Sequence, residues 1–174
     1  MKDSIKKLRE LTGFGISDCK KALLESANDL DKALSTLREK GAKILEKRAE
    51  KQAKEGVVEA YVHFSQNLGT MVEINCESDF VARNEDFKRF AKDVSMHIAA
   101  MAPKYISRDQ VPADDISGLE EKAKEDFLKA NCLFEQPYVK DNSMLVSDYL
   151  KNIATKFKEN ILIRRFVRFS LGQE

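Results

Sequence analysis

Cysteine, histidine, glycine and proline are all scarce in this sequence of 174 residues, and each scarcity narrows what the chain can be. Three cysteines, Cys19, Cys76 and Cys132, are an odd number without a Cys-x-x-Cys pair, so they read as small buried hydrophobes in a reducing compartment. The two histidines, His63 and His97, stand 34 residues apart, with no His-Glu-x-x-His and no Cys/His ligand spacing, which argues against a structural zinc site. The seven glycines form neither a Gly-x-x-x-x-Gly-Lys-Ser/Thr phosphate loop nor a Gly-x-Gly-x-x-Gly turn. Together with three prolines they are too few for extensive disorder. The longest apolar run, Ile98 to Ala102, has five residues, against the ~18 that would cross a bilayer. Met1 to Ser4 opens no signal-peptide core, and its acidic residue speaks against a transit peptide, so the expected setting is the cytoplasm. Charge of one sign is also missing: 30 basic and 29 acidic residues leave +1, which argues against nucleic-acid binding by bulk electrostatics.

What is present is enough apolar material for a core (43%) and a well-solvated surface (34% charged). Residues 1–55 carry 14 basic and 10 acidic side chains and the remainder 16 and 19, an asymmetry that points to two modules. The first module reads as three short helices. Ile5, Leu8 and Leu11 line the first, which stops at Thr12-Gly13; Ser17 is a candidate N-cap for a second with Cys19, Ala22 and Leu23 inward. Asn28-Asp29 opens a third whose Leu30, Ala33, Leu34 and Leu37 follow helical spacing, with Gly41 as its expected stop. Residues 42–55 are charged and Ala-containing, a connector expected to be helical in part.

From Gly56 the period changes to two. Val58, Ala60, Val62 and Phe64 share one face of a strand; Thr70, Val72, Ile74 and Cys76 alternate in a second, and the turn residues Ser65 to Gly69 between them predict a β-hairpin. Asn84 is placed to cap a long helix with a stripe of Phe87, Phe90, Ala91, Val94, Ile98 and Met101, ended by Pro103. After a broken stretch, Leu119, Ala123, Phe127 and Ala130 predict a short helix, and Ser147 caps another with Leu150, Ile153, Ala154 and Phe157 inward. Ile161, Ile163, Val167, Phe169 and Leu171 close the chain as a third strand. The expected class is α+β: a helical head (1–42), a connector (43–55) and a core (56–174) with a small antiparallel sheet of about three strands against helices.

No constellation commits the chain to catalysis. A Cys76–His97 nucleophilic pair is compatible with the spacing but lacks an identifiable third, orienting group. Two loops spend large apolar residues in exposed-looking places. In Gly13-Phe14-Gly15-Ile16, either Phe14 and Ile16 cover the three-helix core or they face a partner. In Ser78-Asp79-Phe80-Val81, either Asp79 caps a turn with Phe80 packed beneath the following helix, or Phe80 is an interaction wedge beside an acid.

These same loops carry a family resemblance. Thr12-Gly13-Phe14-Gly15-Ile16-Ser17-Asp18-Cys19-Lys20-Lys21-Ala22-Leu23 resembles the N-terminal signature of bacterial elongation factor Ts, and Asn75-Cys76-Glu77-Ser78-Asp79-Phe80-Val81-Ala82-Arg83-Asn84 resembles its second signature. Met96 to Ala100, Gln136 to Val139 and Glu159 to Arg165 agree in the same order, so the resemblance spans nearly the whole chain. It implies a ubiquitin-associated-like head and a core that docks on elongation factor Tu, without a cofactor, as a non-enzymatic guanine-nucleotide exchange factor. Ser78 to Val81 match the segment that disturbs the partner's magnesium site, Ile16 and Ser17 match head positions that touch the partner, and His63 resembles a core histidine near it. Ser78 stands where Thr is commoner, Phe14 where Ala is frequent, and Ile16-Ser17 where a Met-Met pair is usual. The region from about Pro112 to Leu133 is shorter than in relatives. One copy of a core pattern that longer members carry twice implies homodimerisation. The rival reading is a ubiquitin-associated-type adaptor whose head recruits another protein, with no exchange activity.

Overall fold

The structure, a computed structural model, describes residues 1–173. Three helices come first: α1 (Lys2–Thr12), α2 (Ile16–Glu25) and α3 (Leu30–Arg48). The hairpin strands β1 (Glu55–Val62) and β2 (Leu68–Cys76) follow, then the short α4 (Asp79–Ala82) and the long α5 (Glu85–Met101). Two further helices, α6 (Ala113–Ile116) and α7 (Glu121–Asn131), lead to a small ribbon of β3 (Pro137–Tyr138) and β4 (Asp141–Leu145). The chain then runs through α8 (Val146–Phe157) into β5 (Leu162–Ser170). The class is α+β, as expected.

In the head, Leu8, Cys19, Ala22, Leu23, Ala33 and Leu37 close a small core that Phe14 plugs from the α1–α2 turn. Asp29 caps α3, its carboxylate accepting from the amides of Asp31 and Lys32, both at 3.1 Å. Ser17, however, does not cap α2. Gly15 holds the capping position in extended conformation, and Ser17 lies within the first turn. Gly41 is not a stop either: α3 continues to Arg48. The missing side chain serves packing instead, since a Cβ at Gly41 would lie 3.3 Å from Thr155 Oγ1 of α8 and 3.6 Å from the Phe14 ring. Gly13 makes the same approach more closely. It adopts φ +70°, and a Cβ there would lie 2.3 Å from the Asn152 carbonyl oxygen. Two glycines thus let the head press on α8, leaving a cleft of about 310 Å³ between them.

The three main strands form one antiparallel sheet in the order β1-β2-β5. Thr70, Val72, Ile74 and Cys76 face inward on α5, where Phe87, Phe90, Ala91, Val94 and Ile98 are buried; Met101, expected in this stripe, is exposed. Asn84 caps α5 through the Asp86 amide (2.9 Å). Simple alternation would put Ile163, Val167 and Phe169 on one face. A bulge opposite Glu73/Ile74 shifts the phase, so Ile163 is buried while Val167 and Phe169 point outward. Ser147 does not cap α8; Leu145 takes that place. Leu119 lies outside α7, which buries Leu128 while Ala123 and Ala130 remain exposed. The β3–β4 ribbon has no counterpart in the sequence reading: Pro137 and the two-residue strand gave no alternation to detect.

Candidate functional site

The turn after β2 follows from its residues. Cys76 is the last inward residue of the strand, and its thiol donates to the Ser78 carbonyl (3.2 Å). Ser78 is extended and caps α4, its Oγ accepting from the Val81 amide at 3.4 Å. Asp79 is not the cap; it pairs with Arg83 one turn on, at 3.2 Å. Val81 and Ala82 are buried. Phe80 is not packed beneath α5: it is 82% exposed. A four-residue helix with two inward and two outward positions thus presents a phenyl ring to solvent beside a carboxylate. The carboxylate of Glu159 lies behind the turn, accepting from the amides of Glu77 (3.0 Å) and Ser78 (3.2 Å) and from the Ser78 hydroxyl (2.6 Å). Nothing local in the sequence marks this contact, because it joins residues more than 80 apart.

The head turn is split in the same manner. Phe14 belongs to the three-helix core, whereas Ile16 is 57% exposed and Ser17 is exposed beside it. His63 sits at the other end of the hairpin from Phe80. It is half-buried, shares a 2.9 Å hydrogen bond between Nδ1 and the Tyr61 hydroxyl, and lies against the Phe64 ring. The nine residues of β2 separate the two places, roughly 30 Å at strand rise. Ser78 to Val81 form one locus, and His63 stands apart from it.

Cys76 and His97 do not form a catalytic pair. Burial first, and then the negative Glu159, push the Cys76 thiol up to about 11, so it stays protonated at neutral pH. His97 is buried with both ring nitrogens engaged: Nε2 bonds Gln136 Oε1 (3.0 Å) and Nδ1 lies 3.2 Å from the Val139 amide. An amide can only donate, so Nδ1 accepts and the ring is neutral with its proton on Nε2. Burial lowers its pKa in keeping with this. Among the described residues no group of three or more His, Cys, Asp or Glu is arranged to hold a metal ion. No described helix is long and apolar enough to cross a membrane.

Fold and site together define a small α+β protein whose distinguishing feature is a braced, presented aromatic side chain. A family model described as Elongation factor TS matches residues 3–130. The chain is 44% identical over 191 aligned positions to elongation factor Ts of Caldanaerobacter subterraneus subsp. tengcongensis, covering 98% of this chain and 96% of that protein. Elongation factor Ts of Thermotoga neapolitana is 42% identical, with 99% and 97% covered, and that of Acetivibrio thermocellus 45%, with 98% and 89%. The chain belongs to the elongation factor Ts family, and its place is in translation elongation. An alignment of 191 positions over 174 residues leaves at least 17 at which the relative has a residue and this chain has none.

Proposed function

We propose that this chain is a guanine-nucleotide exchange factor for elongation factor Tu, acting in the cytoplasm as a docking protein rather than an enzyme. Exchange needs no bond chemistry, only coupling. The factor binds the nucleotide-free partner more tightly than the loaded one, and by reciprocity it weakens nucleotide binding by the same ratio. The observation that carries the reading is the exposure of Phe80 on a turn whose neighbours Val81 and Ala82 are anchored in the core. Fully burying a Phe contributes roughly 1.5–3 kcal/mol. At ~1.4 kcal/mol per tenfold, insertion next to the partner's magnesium site supplies one to two powers of ten in nucleotide release. Asp79 acts there as a hydrogen-bond acceptor, with Ser78 and Val81 holding the pair in place. Ile16 and Ser17 on the head, and His63 at the hairpin end, supply contacts elsewhere on the same partner.

Homodimerisation through the core is the second half of the proposal. The outer face of the sheet exposes Val58, Val62, Met71, Val167 and Phe169 across all three strands, with Phe64 and Leu171 beyond the hairpin end. The Glu73–Arg165 ion pair opposite Val58 interrupts this face at one end, and an apolar surface of this extent over the rest is unusual on a monomer. A second copy of the same face would cover it by two-fold symmetry and supply the second core that longer members carry in one chain. A monomeric mass in light scattering at micromolar concentration sinks this half.

Stopped-flow release of a fluorescent GDP from elongation factor Tu tests the exchange reading, with the wild-type chain and Phe80→Ala. Acceleration by the wild type and a loss of about tenfold in the variant is the expected result. An undiminished variant keeps the exchange reading and moves its driving contacts elsewhere. No acceleration by either protein leaves an adaptor, and residues 1–41 should then bind a partner by themselves.

A further inference from the structure

We infer that Glu159 is the positioning residue of the exchange wedge, holding the Ser78–Val81 turn so that Phe80 is presented in one orientation; this rests on the exchange reading above. A wedge transmits force only if its base is fixed, and the local devices in this turn are weak. A four-residue helix cannot sustain itself. The Ser78 capping bond is long at 3.4 Å, and the Asp79–Arg83 pair is exposed and therefore worth little.

The strong contacts come from the other end of the chain. Glu159 receives three donors from two consecutive residues, and hydrogen bonds to an ionised acceptor are roughly twice as strong as neutral ones. Ser78 then passes the constraint forward, its hydroxyl donating to Glu159 while accepting from the Val81 amide next to Phe80. The arrangement is reciprocal. Glu77 Oε1 accepts from the Asn160 amide (2.6 Å), and Glu77 Oε2 pairs with Arg48 at the end of α3 (3.1 Å). The Asn160 side-chain amide donates to the carbonyls of Ala49 (3.3 Å) and Lys51 (2.8 Å) just beyond that helix. Glu159 is itself held on both sides. Before it, Lys158 ends α8 in the left-handed conformation (φ +57°), and two residues after it Ile161 is buried. The wedge base, the end of the head helix and the start of β5 therefore meet in one clasp.

The test separates positioning from mere stability. Amide hydrogen exchange at Glu77 and Ser78 in the full free chain should speed up roughly tenfold in Glu159→Ala, with β2 amides unmoved. In GDP release from elongation factor Tu, the maximal rate should fall about tenfold while the half-saturating factor concentration stays put, because head and sheet contacts are untouched. Glu159→Gln keeps one oxygen for the two amides but loses the acceptor for the Ser78 hydroxyl. It should fall between the two, at about a threefold loss, and it decides the matter if the alanine variant does not fold. A Glu159→Ala protein with the wild-type maximal rate overturns the proposal, as does a loss confined to the half-saturating concentration. If the wild type fails to accelerate release, the exchange reading falls and takes the proposal with it, an outcome distinct from either variant result.

Discussion

The two turns that carry the candidate contacts, Gly13 to Ser17 in the head and Ser78 to Val81 in the core, solve one problem in opposite ways. Each buries one apolar side chain and exposes another: Phe14 against Ile16, Val81 against Phe80. The head turn is braced locally. Thr12 Oγ1 donates to the Leu8 carbonyl (2.6 Å) and accepts from the Phe14 amide (3.4 Å), and the Cys19 thiol reaches the Phe14 carbonyl at 3.7 Å. None of these spans more than five residues. The core turn is braced by Glu159, across more than 80 residues. A locally braced turn is formed as soon as its own helices are; one held from the far end of the chain takes shape only when α8 and β5 have closed the core. The shape of the core turn is therefore tied to the closing of the core, whereas the hydrogen bonds that brace the head turn are not.

The comparison breaks most sharply at Phe14. Phe14→Ala removes the plug of a small core and should cost about 3–5 kcal/mol of head stability, while Ile16→Ala stays within about 0.5 kcal/mol and lowers only affinity for the partner. Urea unfolding followed by head-specific amide signals measures both, and equal losses would erase the distinction. Gly13→Ala comes next. The left-handed conformation alone costs a non-glycine residue roughly 1–3 kcal/mol, and the new Cβ would sit 2.3 Å from the Asn152 carbonyl oxygen. The head should lift from α8, which limited proteolysis between residues 49 and 54 reads directly; an unchanged cleavage rate contradicts the close approach. Third is the core turn itself. Val81→Ala should destabilise by about 1–2 kcal/mol and Phe80→Ala by less than about 0.5 kcal/mol, with the order reversed in GDP release.

The local half of this architecture was legible in the sequence and the distant half was not. Periodicity placed the three head helices, the hairpin and α5, because each rests on neighbours within a few residues. Asn84 reads as a cap and Asn28-Asp29 as a helix start because capping is a local bond, but the same residue preference points to Ser17 and Ser147, where Gly15 and Leu145 hold the capping positions. Gly41 misled, since a glycine in a helix reads as a stop until the opposing Thr155 is seen. The phase of β5 was lost because a bulge is set by its partner strand, and only the bulge decides that Val167 and Phe169 face out. At the candidate site the signatures marked Ser78 to Val81 and Ile16-Ser17. Spacing alone left Phe80 and Phe14 undecided between core and surface, and Glu159 had no signal as a brace. Its only mark was membership of a matching segment with no role attached.

A pH step separates the two regions with the smallest effect. Both histidines lie outside residues 1–55, and His97 is buried with its pKa lowered by burial. Its folded pKa lies below the unfolded value of about 6.5, so the unfolded chain takes up the proton first as pH falls. Stability is therefore complete above about pH 6.5 and declines on acidification toward the folded pKa, by at most ~1.4 kcal/mol per pH unit. The slope ends once the folded protein is protonated as well, and Nδ1 then loses its acceptor role toward the Val139 amide. Carboxylates held below their usual range by cations, Asp86 by Lys156 and Arg89 and Glu135 by Arg108, lose their contribution only at lower pH. Between about pH 6.5 and pH 5 the loss should fall on α5 and the β3–β4 ribbon while the histidine-free head keeps its protection. Amide exchange at the two ends of that window, resolved by residue, distinguishes the regions. A head that loosens in step with the core would mean the docking through Gly13 and Gly41 joins them into one cooperative unit, and the contrast between local and distant bracing would then hold for geometry but not for stability.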